Sequence, residues 1–155
     1  MSANTNNWTY HSIAGAYFLG IIPHGIYFVK MMRATNWKTS NLTPRENLNT
    51  LRGKIPEDTF NKLCRLRGAH LNALESLPLF ATAMIVGNMR DLPSKELNIL
   101  AAEYLGVRLL YTAAYVGGRS EFLSYVRTGL FGWSVMIPIY VLAKAGNSLL
   151  GSGSV

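Results

Sequence analysis

Four stretches of this 155-residue chain are apolar over the length of a membrane crossing, and that pattern excludes most folds. The first, at 12–29, reads SIAGAYFLGIIPHGIYFV and holds one histidine, His24, and no other group charged near neutral pH. At about 1.5 Å per residue it reaches across a bilayer core, the more so if it continues to Met32. The second, at 69–89, is interrupted by His70, Asn72 and Glu75; the third, at 97–116, holds Glu103 and Arg108; the fourth, at 122–143, holds Arg127 near its start. A soluble four-helix bundle has the same element count, but each helix then needs a charged face. Here nothing is charged between Gly129 and Ala143, and only Glu75 is charged between Asn72 and Met89. The expected fold class is therefore all-α, an integral membrane four-helix bundle in a single domain over 1–155. Its spans are expected at about 11–32, 66–89, 97–116 and 122–144, with a basic loop at about 33–65.

Composition sharpens this reading. Apolar residues make up 49% of the chain and charged residues 15%, yet the formal net charge is +7. A disordered chain would be less apolar, and a disulfide scaffold needs more than the lone Cys64. Nine of the 15 basic residues fall between Lys30 and Arg67, against three acids there. The positive-inside bias places that loop in the cytosol and both termini in the lumen. The connection at 90–96 is then lumenal and the one at 117–121 cytosolic. No basic segment precedes the first stretch and no small-residue cleavage site follows it, so it does not read as a signal peptide. Two glycosylation sequons occur. Asn7 lies on the lumenal side but close to the first helix, and Asn41 lies in the cytosolic loop. The loop reads as irregular over 36–50, and the second helix is expected to begin near Thr59, below the membrane. The closing GSGSV reads as flexible. No nucleic-acid partner is expected, because the basic loop offers neither a reading helix nor an aromatic platform.

Ionisable groups at membrane depth are costly and face a bundle interior or a cavity. On the second helix Arg65, Asn72 and Glu75 share roughly one face. On the third, Arg108, Tyr111 and Tyr115 do the same. The fourth adds Arg127 and Thr128 near its beginning. All three sets are weighted to the basic loop's side. An ion pair between Glu75 and Arg108 would explain part of the pattern, but one Glu cannot satisfy several Arg. A small anionic ligand accounts for the whole set. His70 reads as a hydrogen-bonded core or interfacial residue, since no second His or Cys lies at metal-ligand spacing.

The segment RLRGAHLNALESLPLF, from Arg65 to Phe80, resembles the second-helix signature of the MAPEG superfamily, the membrane-associated proteins of eicosanoid and glutathione metabolism. RLLYTAAY, from Arg108 to Tyr115, resembles its third-helix pattern, and Arg127 with Thr128 the start of its fourth helix. The resemblance implies a homotrimer in the endoplasmic reticulum or a similar membrane, with glutathione bound between adjacent subunits near the cytosol. It implies that Asn72 and Glu75 hold the backbone and amino group of glutathione. Arg65 and Arg108 would pair with carboxylates or hold Glu75, while Tyr111 and Tyr115 donate phenolic hydrogen bonds. Arg127 would stabilise the thiolate, with Thr128 supplying a hydroxyl donor and Arg119 standing as the alternative to Arg127. Glutathione-using members carry an Arg four residues before the Asn of this motif. This chain has Gly68 there, and Arg67, one position away, is expected to bind glutathione in its place through its long side chain.

Those roles suit the chemistry. Glutathione carries two carboxylates and an ammonium group, which Arg and Glu recognise. A nearby cation favours its thiolate. The expected function is a glutathione transferase, extending to peroxidase chemistry, that joins the thiolate to a lipophilic electrophile dissolved in the membrane lipid. The first alternative is an isomerase or cyclase on a hydrophobic metabolite in the same cleft. The second is a non-catalytic lipid-binding member of the family.

Overall fold

Backbone polar groups in hydrocarbon must be satisfied within the segment, and an apolar stretch does so by becoming a helix. The computed structural model describes residues 6–40, 42–118 and 120–151. They form α1 (Thr9–Ala34), a one-turn α2 (Asn47–Thr50), α3 (Glu57–Met89), α4 (Ser94–Gly117) and α5 (Glu121–Gly151). Four of these, all but α2, are long and apolar enough to cross a membrane. The chain is an integral membrane protein of all-α architecture.

Local chemistry marks the helix starts. Pro56 and Pro93 stand immediately before α3 and α4, where a missing N–H costs nothing. Acids follow in the first turns, Glu57 and Asp58 in α3, Glu96 in α4 and Glu121 in α5, against the positive end of each helix dipole. The helix ends are less conventional. Asn36 and Trp37 after α1, and Asp91 after α3, take the left-handed conformation usually left to glycine. After Asn36 and after Asp91 the next N–H reaches back five residues, Trp37 to the carbonyl of Met32 at 2.8 Å and Leu92 to that of Gly87 at 3.1 Å.

At 33 residues, α3 rises roughly 50 Å, more than a bilayer core needs. It packs against every other helix, while α1 also meets α4, and α4 lies along α5. The contact of α1 with α3 is close: a Cβ on Gly20 would come within 3.0 Å of the Ala73 Cβ. Two cores result. One joins Phe80 and Met84 of α3 to Leu97, Ala101 and Tyr104 of α4 and to Ile137 and Val141 of α5. Phe80 and Tyr104 stack there with ring centroids 3.9 Å apart. The other lies at the loop end, where Leu48 and Leu51 pack on Tyr27, Met31, Leu63 and Leu66. The expected irregular run at 36–50 thus ends in α2, because Leu48 and Leu51 anchor the loop. α3 starts at Glu57 rather than near Thr59, directly after Pro56.

Only 22–28% of the most apolar window of each long helix is buried. The outward faces carry Phe18, Ile22, Leu109, Leu110 and Met136, all exposed, which suits lipid and not water. Polar groups on these faces find partners on the neighbouring helix. Trp133 Nε1 donates to Glu103 Oε1 at 2.7 Å, and Lys144 Nζ pairs with Glu96 Oε2 at 2.6 Å.

The end bearing the termini is tied by amides. Asn98 accepts from the Trp8 N–H at 3.1 Å and donates to the Asn6 carbonyl at 2.7 Å. Asn88 donates to the buried Thr9 hydroxyl at 2.8 Å. Asn7 accepts from both the N–H and the hydroxyl of Thr9 and donates to Asn88. The first sequon asparagine, though exposed, is therefore bonded to the first residue of α1 and to the end of α3. The second, Asn41, lies outside the described residues, as do Arg119 and residues 152–155 of the closing segment.

Candidate functional site

Arg108 is the most deeply buried cation among the described residues, only 4% exposed. A guanidinium at that depth needs an acceptor, and Asn72 on α3 supplies it. Arg108 Nη1 and Nη2 both donate to Asn72 Oδ1, at 3.0 and 3.1 Å. The same guanidinium lies over the Tyr111 ring, 4.7 Å from its centroid. No ion pair joins Glu75 to Arg108; among the described residues the one ion pair is Glu96 with Lys144. With Oδ1 engaged twice, Asn72 has its amide Nδ2 left to donate elsewhere.

Asn72 lines a cleft of about 240 Å³ with Tyr111, Tyr115, Arg127, Thr128 and Phe131. The walls come from α3, α4 and the first turns of α5. Five of the residues singled out in the sequence thus converge on one space. Arg108 is the sixth, one layer behind, touching the cleft through Asn72 and Tyr111.

Tyr115 is placed from two sides. Its hydroxyl lies over Gly68, where a Cβ would fall 2.6 Å from the phenolic oxygen. Arg127 covers its ring, with the guanidinium carbon 4.7 Å from the centroid. Arg127 is in turn held by Nη2 donating to Ser124 Oγ at 3.1 Å. The Thr128 hydroxyl donates to the Ser124 carbonyl at 3.0 Å, so its proton is turned into the helix and its oxygen remains as an acceptor.

The remaining sequence candidates lie around this space. Arg65 Nε donates to the Val116 carbonyl at 3.3 Å, satisfying one of the acceptors at the end of α4. Arg67 is turned toward α1, within electrostatic reach of Tyr27. Five helical positions separate it from Asn72, a rotation of about 140°. Glu75 is exposed, and its charge acts on Tyr111. His70 bonds to the Gly20 carbonyl through Nδ1 at 2.8 Å and packs against the His24 ring, 4.6 Å away.

Sequence reasoning passed over two residues. Phe131 closes the cleft wall and meets Tyr111 at 6.2 Å between centroids. Ser124 holds Arg127. Both signals were present as helical spacing, three residues before Arg127 and four after it. Neither residue type announces itself in an apolar helix.

The donor set is suited to an anionic ligand: an amide, two phenols and a guanidinium, with acidic Glu75 at the periphery. No group of three or more His, Cys, Asp or Glu that could hold a metal occurs among the described residues. A sequence model of the MAPEG family matches residues 10–147. No curated protein and no solved structure matches the chain.

Proposed function

Because the chain belongs to the MAPEG family, we propose that it is a glutathione transferase. In this reading it joins the thiolate to a lipophilic electrophile; its peroxidase chemistry reduces a hydroperoxide to the alcohol and water while two glutathione molecules are oxidised to the disulfide. Membership supports an enzymatic role toward lipid-soluble molecules and an association with glutathione. The single observation that carries the finer reading is the convergence of Asn72, Tyr111, Tyr115, Arg127 and Thr128 on one cleft.

Glutathione supplies a thiolate nucleophile when it is bound. Asn72 offers its free amide to a carboxylate or peptide carbonyl, while Arg108 behind it keeps that amide turned outward. Glu75 offers a carboxylate to the ammonium group. Tyr111 and Tyr115 donate from one wall, and Arg127 places a positive charge beside them, lowering the cost of the deprotonated sulfur. Arg65 supports the α4 wall through Val116, and Arg67 lies toward α1, outside that wall. Phe131 and the lipid-facing apolar surface give an electrophile a route from the membrane without crossing water.

The assembly proposed is a homotrimer, in which a neighbouring copy covers the open side of the cleft and the exposed Glu75. An endoplasmic reticulum location with lumenal termini completes the proposal, supported by the basic character of the loop. The test is to mix purified protein in detergent with glutathione and follow the ultraviolet band of the thiolate. Arg127→Gln is expected to abolish the band. A product of unchanged substrate mass with no thioether would instead favour an isomerase or cyclase, and a protein that neither binds glutathione nor turns over would favour a non-catalytic role.

A further inference from the structure

A second cluster of cations lies on the other side of the bundle. Lys30 and Arg33, at the end of α1, face Thr59 and Lys62, near the start of α3, across a pocket of about 430 Å³. Asp58 and Pro56 complete its rim. None of the three cations forms an ion pair among the described residues. With three bases and one acid, the pocket carries a net charge of +2. The adjoining wall is the first turn of α3, which follows Pro56 and has no side-chain cap.

The pocket does not end in water. Lys30 and Arg33 also border an apolar groove of about 320 Å³ that runs along α1 over Gly25, Ile26 and Val29. Ile26 and Val29 are exposed, and the space over Gly25 is open, with nothing within 4 Å of an added Cβ. From Thr9 to Lys30, α1 rises roughly 30 Å, the thickness of a bilayer core. Lys30 and Arg33 therefore stand at headgroup level and the groove stands at acyl-chain level. A positive, donor-lined pocket joined to a lipid-facing apolar trough matches one class of molecule end to end.

We propose that the loop end of α1 and α3 is a specific binding site for an anionic glycerophospholipid. Its phosphate is held between Lys30, Arg33 and Lys62, and one acyl chain lies in the groove over Gly25. The cation charge, about 1 kcal/mol for each Lys or Arg near a membrane surface, accounts for selectivity over zwitterionic lipid. The groove accounts for selectivity over a free phosphate. The glutathione cleft shares no lining residue with this pocket, so the site stands or falls independently of that reading.

The test uses the full-length protein in neutral detergent and three probes: short-chain phosphatidylserine, short-chain phosphatidylcholine and glycerol 3-phosphate. Binding is read by native mass spectrometry and by the shift in thermal unfolding. Phosphatidylserine is expected to bind and stabilise, and the other two to do neither. Lys30→Gln, Arg33→Gln and Lys62→Gln should each weaken it roughly fivefold, while Arg52→Gln and Lys54→Gln in the loop leave it unchanged. Gly25→Leu, which fills open space on an outward face, should expel the diacyl lipid. Equal binding of phosphatidylcholine would overturn the proposal. So would glycerol 3-phosphate binding as tightly as the lipid, or equal losses from the loop variants, which would mark a diffuse basic surface.

Discussion

The phenolic oxygen of Tyr115 occupies the volume that any side chain at position 68 would need, 2.6 Å from where a Cβ on Gly68 would sit. The family resemblance implies an Arg at that position in most members that use glutathione. In this chain the space is taken by a residue of α4 reaching across to α3. The departure at Gly68 and the placement of Tyr115 are one feature, and it puts a phenol at the cleft wall beside Arg127.

Gly68→Ala should therefore be destabilising even though alanine favours helix. The added methyl group must displace the phenolic end of a ring that Arg127 also covers, an overpacking that costs about 1–3 kcal/mol. In a Tyr115→Leu background the same substitution should be neutral or stabilising. A double-mutant cycle on thermal unfolding in detergent checks this, and additive effects would contradict the contact.

Arg108 and Arg127 should separate in function. Arg108→Gln removes the fork that fixes Asn72, so glutathione affinity is expected to fall about tenfold, the value of one charge-assisted hydrogen bond. The fraction of bound glutathione present as thiolate should be unchanged. Arg127→Gln should do the opposite, sparing affinity and removing thiolate. Calorimetry beside ultraviolet absorbance distinguishes the two.

Thr128→Val is expected to be nearly silent in thiolate formation, because its hydroxyl proton is spent on the Ser124 carbonyl. Ser124→Ala should lower thiolate formation several-fold by releasing the Arg127 guanidinium from its 3.1 Å contact. Turnover of the two variants with a soluble electrophile, measured side by side, decides which hydroxyl matters.

Asn98→Ala should loosen the end that bears the termini. It deprives the Trp8 N–H and the Asn6 carbonyl of their partner, at a cost of about 1–3 kcal/mol. Amide hydrogen exchange should rise over the first turn of α1 and leave α3 near Asn72 unaffected.

How much of this was legible beforehand depends on the type of signal. The helices could be read because hydrocarbon imposes one backbone solution on a long apolar run. The shared faces of Arg108, Tyr111 and Tyr115 followed from helical spacing. Partner choice did not follow. Spacing within one helix cannot tell whether Arg108 meets Glu75 or Asn72, since that depends on how α4 is rotated against α3. The turn of Arg67 toward α1 and the roles of Ser124 and Phe131 escaped for the same reason. The helix ends at Asn36, Trp37 and Asp91 carried no glycine to mark them.

Val116 stands next to Tyr115 in the chain and packs against the cluster that includes Leu48 and Leu51 of the loop. Its carbonyl is gripped by Arg65. The last turn of α4 thus rests on the same core that anchors the loop, one peptide unit from the cleft. Loop and cleft therefore share a foundation: Leu48 and Leu51 bear on the core against which the residue after Tyr115 is packed.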